Sequence, residues 1–224
     1  MQIDWTLNLN FFIALLAIVN PMGNFTAFLS FVADNTKKIQ RILAVLFSAF
    51  IFIVMIGVYF LGETVLNLFG ITIPAFRIAG GIMLVLMGIR MVYGKENLTK
   101  IHIDKLIEKK ASIKIAEEKF RSLVVPVAIP LFIGPATMST IILYANKTKD
   151  FETMLISVGV ISLVTLITLL ILLFSETIFS FMGENGLHII LRIMGIILLA
   201  IGIQFLINGI ADVTVNLINP DIVT

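Results

Sequence analysis

Two short motifs place proline beside small and polar residues inside otherwise apolar runs: Asn20-Pro21-Met22-Gly23-Asn24 and Gly134-Pro135-Ala136-Thr137. Proline lacks a backbone donor and clashes with the preceding turn, so each motif is expected to break a helix. A break frees carbonyls on one side and N–H groups on the other, where the new helix also presents a partial positive charge. Acceptors and donors placed together in this way suit a zwitterion, with its carboxylate at the N–H groups and its ammonium at the carbonyls. Asn20, Asn24, Thr26, Thr137, Ser139 and Thr140 add uncharged hydrogen-bonding groups. With Pro21, Gly23, Gly134, Pro135 and Ala136 they form the candidate substrate site. Gly23, Gly134 and Ala136 are expected to bring two backbones close, leaving room for little beyond a methyl or hydroxymethyl group.

Other chemistries find little material. Cysteine is absent, which excludes disulfides and thiolate sites. His102 and His188 are the two histidines, too few for a metal cage. No Asp or Glu lies near the centre of an apolar segment, so neither a carboxylate dyad nor a carboxylate proton relay is visible. No metal, no cofactor and no catalytic residue is therefore expected. A net charge of +2 is too small to point to nucleic acid. Glu63, Arg77, Glu176 and Arg192 lie near the ends of apolar segments. They are candidates for gating or structural ion pairs, and their interfacial position favours the structural role.

These residues sit in a chain built for lipid. Hydrophobic residues make up 59% of 224 positions and charged residues 13%, against roughly 25% charged in soluble domains. Six nearly uncharged segments, Trp5–Ala33, Ile42–Leu61, Pro74–Tyr93, Leu123–Asn146, Thr153–Phe174 and Gly186–Ile210, are each long enough to cross a bilayer as a helix. None shows the strict alternation of a barrel strand. The expected fold is an all-α membrane protein of six transmembrane helices, with the first and fourth broken. Met1–Asp4 lacks the basic stretch of a secretory signal, so the first segment is read as a retained helix.

Basic residues set the orientation. The first connection carries Lys37, Lys38 and Arg41, and the long connection after the third segment adds eight more from Lys95 to Arg121. The opposite face has Lys147 and Lys149 in its connections. The basic face is expected in the cytoplasm and both termini outside. The chain then divides into residues 1–94, a cytoplasmic connection over 95–121, and residues 122–224.

The two larger parts resemble each other. Phe76-Arg77-Ile78-Ala79-Gly80 aligns with Leu191-Arg192-Ile193-Met194-Gly195, and Glu63-Thr64-Val65 through Gly70 aligns with Glu176-Thr177-Ile178 through Gly183. Pro21 aligns with Pro135. Three helices per half is an odd number, so the second half must run upside down relative to the first. Inverted repeats of this kind suit transport, because exchanging the conformations of two similar halves exchanges which side is open. Gly80, Gly81, Gly88, Gly195 and Gly202 are expected to let helices approach closely.

Asn20-Pro21-Met22-Gly23-Asn24-Phe25 followed by Phe28-Leu29-Ser30, together with Gly134-Pro135-Ala136-Thr137-Met138-Ser139-Thr140, resembles the MarC family of integral membrane proteins. The resemblance spans essentially the whole chain. That family includes SnatA-type transporters of small neutral amino acids, so the resemblance implies a transporter for substrates such as glycine and alanine. The break chemistry points independently to a small zwitterion.

Overall fold

The structure, a computed structural model, describes residues 5–32, 35–93, 132–147 and 150–218. Residues 95–121 and the beginning of the fourth segment, from Leu123, lie outside that set. The described residues form seven helices and no strand: α1 (Trp5–Val19), α2 (Pro21–Val32), α3 (Lys37–Leu68), α4 (Ile73–Tyr93), α5 (Pro135–Lys147), α6 (Phe151–Leu173) and α7 (Ser175–Ile218). Five stretches are long and apolar enough to cross a membrane, the first being α1 and α2 taken together. The fourth segment is described only through α5, 13 residues long and too short to span alone.

Connectivity gives the bundle two ends. At the terminal end lie the start of α1, the α3–α4 and α5–α6 connections, and the far end of α7. At the basic end lie the start of α3, with Lys37, Lys38 and Arg41, and the α6–α7 junction. Large apolar side chains face outward along the helices, among them Ile53, Phe60, Leu166 and Ile196. In water such a surface would drive aggregation; against lipid tails it costs nothing.

Because lipid removes the hydrophobic drive between helices, close backbone contact must supply the attraction. The antiparallel pair α4 and α7 shows how. A Cβ on Gly81 would lie 2.8 Å from the Gly202 carbonyl oxygen, and one on Gly88 would lie 2.7 Å from that of Gly195. The reciprocal contacts are 2.9 and 3.0 Å. Seven-residue spacing on each helix keeps these glycines on one face, so the sequence expectation of close approach holds at both pairs. The interior beside them is aromatic. Phe47 of α3 stands between Phe28 of α2, at 5.6 Å, and Phe132, at 5.3 Å and edge-on. Phe11 of α1 stacks on Tyr144 of α5 at 4.6 Å.

α3 closes with left-handed geometry at Gly70 (φ 67), where Gly70 N–H donates to the Asn67 carbonyl at 3.0 Å and Ile71 N–H to that of Leu66 at 2.9 Å. This is a Schellman closure. Gly183, the residue aligned with Gly70, also has positive φ (63) and interrupts α7 between two helical stretches.

Candidate functional site

The first break turns on one residue. Asn20 lies between α1 and α2 with φ 45, the described non-glycine residue with left-handed geometry. Asparagine tolerates that conformation better than most residues. Its N–H still donates to the Leu16 carbonyl at 3.0 Å, completing α1, while its side-chain Oδ1 accepts from Gly23 N–H at 3.0 Å, capping α2. Pro21 follows at the first helical position, where a missing donor costs nothing. Asn24 reaches back across the break, its Nδ2 donating to the Val19 carbonyl at 2.8 Å. Thr26 Oγ1 donates to the Gly23 carbonyl at 3.2 Å, and Asn20 Nδ2 meets Met91 Sδ of α4 at 3.6 Å.

The second break solves the same problem with fewer groups. Thr137 Oγ1 donates to the Phe132 carbonyl at 3.1 Å, crossing the break as Asn24 does. Thr140 Oγ1 donates to the Ala136 carbonyl at 2.9 Å, and Met138 N–H to the Gly134 carbonyl at 3.1 Å. Gly134 occupies the position of Asn20 but has no side chain, so α5 begins without a cap of the Asn20 kind. Ser139, one turn further on and 1% exposed, has an Oγ without a hydrogen-bond partner. Such groups are uncommon in native interiors and call for an explanation.

Nearly all the candidate residues are buried: Asn20, Pro21, Gly23, Asn24, Thr26, Ala136, Thr137, Ser139 and Thr140, with Gly134 and Pro135 partly so. The two breaks share neighbours. Ile18, just before the first, packs in one cluster with Ala136 of the second, together with Leu84 of α4 and Leu198 of α7. They dock on α4 at different levels, the second against Gly80 and the first against Met91, roughly 16 Å further along the axis at ~1.5 Å per residue.

Two details add to the sequence expectations. Gly23 does not border open space, because a Cβ there would meet the Asn20 side chain and Met91 Cε, the latter at 2.7 Å. At the second break a Cβ on Gly80 would lie 3.0 Å from Ala136 Cα. The small residues at these points serve packing, so a larger side chain would displace neighbours instead of filling a cavity. Of the four candidate ion-pair residues, Arg77 has a charged partner among the described residues. Arg77 pairs with Asp212 of α7 at 3.1 Å and lies 5.5 Å from the Phe205 ring centroid. Antiparallel packing brings the far end of α7 to Arg77, whereas Glu63 is exposed on α3. Glu176 accepts from Gln40 Nε2 at 2.7 Å, and Arg192 is exposed.

Three polar residues escaped the sequence reading. Ser48 of α3 and Ser157 of α6 are buried with unpartnered hydroxyls, like Ser139. Their only signal is serine inside an apolar run, which membrane helices often satisfy through their own carbonyls. Asp212 lies beyond the apolar segments, and its pairing depends on α4 and α7 meeting.

Comparison with known proteins finds relatives among integral membrane proteins. The MarC family integral membrane protein model matches residues 5–214. UPF0056 membrane protein YhcE of Escherichia coli (strain K12) is 31% identical over 96% of this chain and 97% of its own length. A UPF0056 membrane protein of Methanocaldococcus jannaschii is 31% identical over 89% of this chain and 93% of its own. UPF0056 inner membrane protein MarC of Escherichia coli O1:K1 / APEC is 30% identical over 90% and 92%. No solved structure matches. With helices long enough to span, an outward apolar surface and similarity along its length, the chain belongs to the MarC family of integral membrane proteins.

Proposed function

We propose that the protein is an inner-membrane transporter of small neutral amino acids, glycine, alanine and serine, working by alternating access between two inverted three-helix halves. The observation that carries this reading is the second break: a helix start at Pro135 preceded by Gly134, which has no side chain to cap it, with the unpartnered, buried Ser139 hydroxyl one turn away. Uncapped N–H groups at a helix start receive a carboxylate, and a free hydroxyl adds a donor or acceptor. At the first break the Gly23 N–H is already taken by Asn20 Oδ1. The inverted arrangement is supported by prolines at matching breaks, by left-handed glycines at the aligned positions 70 and 183, and by the antiparallel α4–α7 pair. The basic residues at one end support a cytoplasmic location for that end and both termini outside.

Counterflow in liposomes tests the reading. Vesicles loaded with unlabelled alanine should accumulate labelled glycine transiently and saturably, with serine competing and with lysine, glutamate and tryptophan without effect. Ser139→Ala should weaken apparent affinity about 5- to 30-fold, as expected for one lost hydrogen bond, while leaving unfolding unchanged. Flux that rises linearly with concentration and shows no counterflow would make the protein a channel. Equal competition by charged amino acids would overturn the substrate class.

A further inference from the structure

At the basic end, the start of α3 and the α6–α7 junction line an open-sided cavity of about 390 Å³. We propose that it binds a phosphoanion, supplied in the membrane by the headgroup phosphate of an anionic phospholipid.

The charge arrangement carries the argument. Lys37 and Arg41 both line the cavity, one turn apart on α3, where residues four apart share a face. Neither has an ion pair among the described residues. They stand at a helix start that is electrostatically adverse: Thr36 gives no side-chain cap, and the first turn has no acidic residue and carries Lys37 and Lys38. Positive side chains at that end oppose the helix dipole, and an anion between them relieves the conflict. One carboxylate, Glu176, also lines the space. Its Oε1 accepts from Gln40 Nε2 at 2.7 Å, and it sits in the first turn of α7, where the dipole favours it.

The rest of the wall distinguishes a lipid from free phosphate. Leu172, Leu173 and Phe174 line the cavity together with the cations, and Phe174 is 57% exposed. Inorganic phosphate gains nothing from that surface, whereas an acyl chain does. Basic pockets with apolar walls at the end of a bundle bind anionic lipid headgroups, and the proposed orientation puts this end on the cytoplasmic side. The cavity lies where the second half departs from the first. The stretch from Glu63 belongs to the unbroken α3, while its counterpart from Glu176 starts a new helix after a break at Phe174.

The test uses the full chain, purified in detergent and stripped of lipid. Phosphatidylglycerol, phosphatidylcholine and inorganic phosphate are added separately, with retained lipid read by native mass spectrometry and stability by thermal unfolding. Phosphatidylglycerol should be retained and raise Tm, and phosphatidylcholine and millimolar phosphate should do neither. Replacing both Lys37→Gln and Arg41→Gln should weaken retention about 30-fold, while Lys38→Gln, outside the cavity, should leave most of it. Both cations are exposed, so the double variant is expected to fold, which its elution and helicity would verify. A second variant, Thr177→Leu, narrows the cavity with its charges intact and should also reduce retention. Equal retention by the double variant, equal retention of phosphatidylcholine, or a phosphate effect matching that of the lipid would each overturn the assignment.

Discussion

Replacing Asn20 separates a built break from an ordinary kinked helix. In a continuous helix, alanine is more stable than glycine by about 1 kcal/mol. The geometry at Asn20 reverses that order. Its φ of 45 carries a penalty of roughly 1–2 kcal/mol for alanine and none for glycine. Losing the Oδ1 cap on Gly23 N–H costs about 1 kcal/mol on going to alanine, and a few tenths on going to glycine. Asn20→Ala should therefore lose about 2–3 kcal/mol and Asn20→Gly about 1 kcal/mol or less. Unfolding of the purified chain in mixed micelles, followed by circular dichroism during titration with dodecyl sulfate, measures both. The expected order of stability is Asn20, then glycine, then alanine. An alanine variant as stable as the glycine variant would refute a left-handed, capped break.

The remaining predictions probe the second break, the helix pair and the orientation. Thr137→Val removes the hydroxyl bound to the Phe132 carbonyl at 3.1 Å and should cost about 1–3 kcal/mol in the same unfolding assay. Gly81→Leu or Gly202→Leu should destabilise by about 1–3 kcal/mol or more through overpacking of α4 against α7. Gly57→Leu, with open space at its Cβ position, should cost far less. Single cysteines at positions 105 and 219 of this cysteine-free chain report orientation in whole cells treated with an impermeant thiol reagent. Labelling is expected at 219 and protection at 105.

The breaks show where local information ends. That Pro21 and Pro135 interrupt helices follows from the proline ring itself, which acts within one turn whatever surrounds it. The roles of the neighbouring polar residues follow less directly. Asn20, Asn24 and Thr137 were legible as hydrogen-bonding groups, but not as groups that bond mainly to their own chain. A side chain beside a broken helix has freed backbone groups within reach before any ligand arrives. Only the Ser139 hydroxyl keeps an unused hydrogen-bonding atom among the candidate side chains singled out at the second break. Gly23 was legible as a close approach, and the partner it approaches was not.

From residue order alone came the helical class, the apolar segments, the two breaks, the kinship of Gly70 with Gly183 and the close-packing role of Gly81, Gly88, Gly195 and Gly202. Each rests on composition, period or a backbone restriction that operates over a few residues. Tertiary structure decided the pairings: Arg77 with Asp212, Glu176 with Gln40, Met91 with Asn20, and the cavity between Lys37, Arg41 and the break at Phe174. These partners are distant in sequence, and side chains of one type can satisfy many partners. Which of them meet is settled by how α4 and α7 cross and where α6 breaks, a result of packing the whole bundle at once.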